Sequence, residues 1–184
     1  MVNRASIFFS YMLIGCLLIF VCSSWMHTPK LIAKVDNAIL QTFEITSFKK
    51  EIIMVDTANY PEGMVDLAED RLFKIMENNV VLGYGYLGET ASMKRMFDYL
   101  ILFNADLSIK KAKVLIYREE HGRQIGSQRW LKQFIGLTVG DPLVYGENID
   151  AISGATISAN SMTLAVGKVL QSIKKLKDDN LLKQ

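Results

Sequence analysis

Arg71-Leu72-Phe73-Lys74-Ile75-Met76-Glu77-Asn78-Asn79-Val80-Val81-Leu82-Gly83-Tyr84-Gly85-Tyr86-Leu87-Gly88 decides the fold, because it supports two incompatible readings. Its last six residues match a glycine-rich dinucleotide fingerprint, which would make the chain a doubly wound α/β protein. That fingerprint works only in a loop that leaves a parallel strand and opens a helix. Here two strand-like runs, Arg71 to Met76 and Val80 to Leu87, flank Glu77-Asn78-Asn79, whose residues suit a tight turn between antiparallel strands. Bulky Tyr84 and Tyr86 alternate with glycine as strand residues do, and no second βαβ unit follows downstream. Phe97 to Phe103 and Ile109 to Tyr117 form a second pair, turned through Asn104-Ala105-Asp106. The pattern predicts an α+β fold, a small antiparallel sheet packed with helices.

Three helices complete it. Thr28-Pro29 reads as an N-cap and first helical residue, followed by Leu31, Ile32, Val35, Ala38, Ile39, Thr42 and Phe43 at helical spacing. This amphipathic face can pack on the domain or rest on a membrane surface. Ser127 is placed to cap a helix in which Trp130, Leu131, Phe134 and Ile135 share one face, ending at Gly136. The last helix runs from about Thr156 to Lys177, burying Met162, Ala165, Val169, Ile173 and Leu176, with closing lysines that complement its dipole.

Ahead of these elements, Ala5 to Pro29 contains no Asp, Glu, Lys or Arg, and Ile7 to Met26 is nearly all apolar, long enough to cross a bilayer core as helix. The expectation is one N-terminal transmembrane helix (residues 1–28 as anchor or signal segment), an amphipathic helix and connector over 29–64, and a domain over 65–184. Arg4 favours a cytoplasmic start and hence an exported domain, on the periplasmic or extracellular face. Val21-Cys22-Ser23 leaves open secretion after signal cleavage. Leu13-Ile14-Gly15-Cys16 resembles a lipoprotein box but is followed by six apolar residues where a polar tether belongs.

The 184 residues carry 21 Lys and Arg against 19 Asp and Glu, so no basic field for nucleic acid is present. Both cysteines, Cys16 and Cys22, lie in the apolar segment, which leaves the rest without a disulfide framework or thiolate metal site. With only His27 and His121 besides, no metal site is expected. No Ser-His-Asp or Cys-His arrangement can be assembled, and no catalytic residue is assigned.

Asp150-Ala151-Ile152-Ser153-Gly154-Ala155-Thr156 enters the last helix through a tight, side-chain-poor turn. Two readings fit. Ser153 or Thr156 caps the helix, as hydroxyls commonly do there; or Gly154 and Ala155 let a phosphate approach the unpartnered first N–H groups beside Thr156.

This segment resembles the flavinylation motif, Asp-x-x-Ser/Thr-Gly-Ala-Thr, of the FMN-binding domain family, typified by its members in the Rnf complex and in the sodium-translocating NADH:quinone reductase. Asp150, Ser153, Gly154, Ala155 and Thr156 match it throughout. The resemblance continues upstream through Tyr117-Arg118-Glu119-Glu120-His121-Gly122, Ile125-Gly126 and Trp130 to Gly136. It implies covalent FMN in a phosphoester on Thr156, installed by a flavin transferase that uses FAD and a divalent metal. It further implies that Glu119, His121, Gly122 and Gly126 lie beside the flavin, hydrogen-bonding its ring. Where those family members read Glu-Thr-Pro-Gly-Leu-Gly, this chain has Glu119-Glu120-His121-Gly122 and two extra residues before Ile125-Gly126.

The function so implied is that of a membrane-anchored electron-transfer flavoprotein, partnered by a membrane reductase or another redox protein and without independent turnover. Two alternatives stand beside it. One is a stand-alone flavin-dependent reductase in which the Glu119/His121 loop protonates a small acceptor. The other is a non-redox binding module whose Ser153-to-Thr156 turn only caps a helix.

Overall fold

The computed structural model describes residues 28–55, 63–67 and 70–182. The apolar segment from Ile7 to Met26, and with it the expected span, lies outside the described residues. Among those described, no helix is long and apolar enough to cross a membrane.

From Ala33 onward the chain forms one compact unit. Its frame is a five-stranded antiparallel sheet in sequential order: β1 (Lys49–Ile52), β2 (Leu72–Glu77), β3 (Val80–Ala91), β4 (Met96–Asn104) and β5 (Ile109–Ile116). The hairpin reading holds. Glu77 pairs with Val80, and Asn78 and Asn79 both take positive φ, 49° and 65°. A two-residue turn that matches right-handed strand twist requires that conformation, and asparagine tolerates it better than most residues. The fingerprint-like glycines lie inside β3. A Cβ on Gly85 would stand 2.3 Å from the Phe73 ring, and one on Gly88 2.5 Å from the Tyr99 ring. These glycines make room for aromatics on neighbouring strands and cradle no phosphate.

Both faces of the sheet are covered, which explains the apolar run from Tyr99 to Phe103 in β4. A strand buried on both sides has no polar face to alternate with. Tyr84, Tyr86, Phe97, Tyr99, Ile101 and Phe103 belong to one core with the long C-terminal helix. That helix spans Thr156–Asp178 and buries each of the five apolar residues expected of it. On the opposite face lie Phe73, Ile75, Leu100 and Leu102, all buried. Helix α1 (Pro29–Phe43) meets this face: the Phe43 ring lies 3.0 Å from the Cβ position of Gly83, and Lys34 Nζ donates to the Leu115 carbonyl at 2.6 Å. Its apolar stripe, with Val35, Ala38 and Ile39 buried, packs on the domain.

Two expectations need correction. The stretch read as connector supplies β1, which pairs with β2 from Lys49–Met76 to Ile52–Phe73. The helix after Ser127 is shorter than its pattern suggested: a 3₁₀ turn (Arg123–Gly126), α2 (Gln128–Leu131) and a second 3₁₀ turn (Lys132–Phe134). Ser127 makes no side-chain cap there. The winding ends at Phe134, and Ile135, already extended at φ −68° and ψ 132°, turns outward while Trp130, Leu131 and Phe134 stay buried. The C-terminal helix is hereafter α3.

Candidate functional site

A cleft of about 610 Å³ opens where three segments meet: the β3–β4 turn at Met93 to Arg95, the exit of β5 from Tyr117 to His121, and the start of α3 from Gly154 to Ser158. Gly122 brings the last two together. It sits at φ 77°, and a Cβ there would lie 2.8 Å from the Tyr117 hydroxyl and 3.1 Å from the Gly154 carbonyl. That approach disfavours any side chain, since either the Tyr117 hydroxyl or the Gly154 carbonyl would have to give way. Tyr117 then reaches across to α3, its hydroxyl 2.9 Å from Ser158 Oγ.

The run into α3 is gripped from the side away from the cleft. Trp130 Nε1 donates to the Asp150 carbonyl at 2.7 Å. Gln133 Oε1 accepts from the Asp150 N–H at 2.9 Å, and the Ile152 N–H donates to the Tyr145 hydroxyl at 3.3 Å. Gly154, at φ 77°, completes the turn. The helix cap is Ala155, which has no side chain able to cap. Neither Ser153 nor Thr156 plays that role, so the simple capping reading is set aside and the first N–H groups of α3 are left without a side-chain partner. Thr156 is exposed at the cleft. Its hydroxyl makes only a long contact, 3.4 Å, to the Ile152 carbonyl.

Opposite this turn, Glu119 latches the β3–β4 turn. Its Oε1 accepts from the backbone N–H groups of Lys94 at 2.6 Å and Arg95 at 2.9 Å. The Ser92 hydroxyl lies 2.6 Å from the same oxygen and 2.5 Å from the Arg95 carbonyl. The Ser92 bond, then those of Lys94 and Arg95, hold the Glu119 carboxyl below the usual glutamate range. Beside it, Arg118 donates from Nη2 to Asp98 Oδ2 at 2.7 Å and from Nη1 to the Met96 carbonyl at 3.0 Å. Burial pushes the Asp98 carboxyl up, Arg118 opposes that shift, and Glu89 across the ladder adds to it.

A profile of the FMN-binding domain matches residues 77–171 of this chain, and these residues include every side of the cleft. The chain belongs to the FMN-binding domain family. Among solved structures it is similar to NqrC of Shewanella oneidensis, with a TM-score of 0.57 and 15% identity over 82% of this chain and 100% of that one. At that identity the likeness concerns the fold. No curated protein matches it by sequence.

The residues present fit FMN. The cleft lies within the size range of small-molecule sites. The uncapped start of α3 offers backbone donors and the positive end of a helix dipole to a phosphate, and the Gly154-Ala155 turn leaves nothing to obstruct it. Among the described residues no group of three or more metal-ligating side chains occurs.

Not every residue singled out in the sequence comes to this cleft. Gly154, Ala155, Thr156, Glu119 and His121 line it, with Gly122 packed beneath. Asp150 and Ser153 are exposed and do not line it; Asp150 serves through its backbone, as the point where Trp130 and Gln133 hold the motif. Gly126 lies elsewhere, against a separate hollow with Lys110, Lys111 and Lys113. Sequence reading passed over Met93, Lys94 and Arg95, whose only signal is a polar break between two strands, and gave Arg118 no role.

Proposed function

We propose that this protein is an extracytoplasmic, membrane-anchored electron-transfer flavoprotein that carries FMN covalently on Thr156. The observation that carries this reading is the position of Thr156: an exposed hydroxyl at the uncapped start of α3, lining the cleft. In maturation the Thr156 oxygen forms the new bond to the FMN phosphorus of FAD, the pyrophosphate bond breaks, AMP leaves, and the hydroxyl proton is lost. A flavin transferase with its divalent metal performs this step. The chain's part is to present the oxygen at a backbone turn too bare to obstruct the enzyme.

When bound, FMN supplies reversible electron transfer. The protein's residues supply the rest. The first N–H groups of α3 hold the phosphate end, Gly122 and Gly154 keep the floor clear of side chains, and the Glu119 latch fixes the β3–β4 turn as the facing wall. Covalent attachment replaces a bimolecular equilibrium with a permanent local concentration, which suits an exported protein where free flavin is scarce. The apolar segment from Ile7 to Met26 is the anchor, and a membrane reductase or similar redox protein is the partner.

Co-expression with a flavin transferase, followed by intact mass measurement, tests the reading. Wild type should gain one FMN moiety and Thr156→Val none. Covalent flavin persisting in Thr156→Val overturns the attachment site. Rapid NADH oxidation by the loaded protein alone overturns the carrier role.

A further inference from the structure

Asp98 is a charged residue in an apolar setting. It is 3% exposed on the face of β4 that carries Leu100 and Leu102, and the residue directly across the β3–β4 ladder is a second carboxylic acid, Glu89. A buried carboxylate contributes little to stability that an apolar residue of similar size would not, and its retention needs another reason. Its cation is Arg118, whose side chain is 35% exposed and lines the cleft that holds Thr156. A β-bulge between Asp98 and Tyr99 in the β4–β5 pair lies beside this contact, a device that re-aims side chains near sites. Asp98 and the Met96 carbonyl take one donor from each of two guanidinium nitrogens. A guanidinium carries five, so donors remain for the cleft. Arg118 is thereby a positive charge held in the cleft wall by two hydrogen bonds.

We propose that Arg118, held by the buried Asp98, is the cationic partner that favours the reduced, more negative state of the group in this cleft, and that Asp98 is its positioning residue. The inference rests on the flavin reading above. A fixed cation near a flavin ring stabilises the electron-rich form more than the oxidised form, because the added charge is what it interacts with. Binding strength of the two oxidation states therefore diverges, and the midpoint potential rises with it.

The test is a redox titration of the full chain loaded with FMN, followed by absorbance. Arg118→Gln should weaken the hold on the reduced relative to the oxidised group about tenfold, which lowers the midpoint by roughly 30 mV for a two-electron couple. Arg118→Lys should recover part of this, since the charge returns without the clamp. Asp98→Asn gives the discriminating sign. Removing a negative charge raises the midpoint if Asp98 acts only through its own field, whereas loss of positioning lowers it. Lys110→Gln, remote from the cleft, should leave the midpoint unchanged. A midpoint in Arg118→Gln equal to wild type overturns the proposal for Arg118, and a raised or unchanged one in Asp98→Asn overturns the positioning role. If Asp98→Asn does not fold, the Gln and Lys variants at 118 decide. A wild-type chain that takes no flavin overturns the flavin reading and this proposal with it, and so differs from a loaded chain whose midpoint does not move.

Discussion

Gly122→Ala isolates the contact that closes the site. At φ 77° an alanine costs about 1–2 kcal/mol relative to glycine. The new methyl would also lie 2.8 Å from the Tyr117 hydroxyl and 3.1 Å from the Gly154 carbonyl. The carbonyl is backbone and shifts only with the motif turn. Tyr117 can swing away, but it then gives up its 2.9 Å bond with Ser158 Oγ, about 1 kcal/mol. The sum is about 2–3 kcal/mol, which for a chain of this size lowers the melting temperature by about 4–12 °C. Two other glycines separate the contributions. Gly154 shares the φ of 77° but a Cβ there meets nothing within 4 Å, so Gly154→Ala should cost about 1–2 kcal/mol. Gly126 has neither a positive φ nor a neighbour within 4 Å, so Gly126→Ala should be neutral or slightly stabilising, by up to about 1 kcal/mol. Thermal unfolding of the full chain, followed by circular dichroism, reads all three. If Gly122→Ala melts no lower than Gly154→Ala, the close approach of the two segments is not the constraint described.

The Glu119 latch gives a pH dependence with a definite sign. Its folded-state carboxyl sits below its unfolded range, so the stability it contributes is present above the unfolded value and is lost as pH falls through the folded one. Hydrogen exchange at the Lys94 and Arg95 amides, corrected for intrinsic rates, should therefore lose protection on acidification. Glu119→Gln should show low protection with little pH dependence, and a wild-type-like profile in that variant would argue against the latch. For topology, protease added outside intact cells or spheroplasts should degrade the chain beyond Thr28. Protection until the membrane is opened would place the domain on the other side.

The sheet was legible because its signals are local. Two asparagines at a turn and an apolar run at Tyr99 to Phe103 each mark a strand without reference to the rest of the chain. So does α3, whose apolar residues recur at helical spacing over 23 residues. β1 was not legible, because Lys49-Lys50-Glu51 has no apolar pattern; an edge strand with charged residues is defined by its partner β2 and not by its own composition. The helix after Ser127 misled for a different reason. Its apolar spacing was sound up to Phe134, but the helical winding stops there, and Ile135, extended, leaves the buried face. At the site, Thr156 announced itself through a contiguous motif. The Arg118–Asp98 pair could not, since its members lie twenty residues apart and meet only through the pairing of β4 with β5.

What the motif cannot state is why the residues before Thr156 need so little side chain and so much support. Glycine and alanine leave the turn bare toward the cleft, and a bare turn has no contacts of its own to hold it. The support therefore comes from behind, through Trp130 and Gln133 on Asp150, Tyr145 on Ile152, and the buried Ala155 and Ala159 where α3 meets the core. None of these groups except Ala155 faces the cleft. Rigidity and access are thus assigned to opposite sides of one short segment. On the function proposed above, that arrangement suits a hydroxyl that is first reached by a modifying enzyme and then, once loaded, keeps its flavin within reach of redox partners.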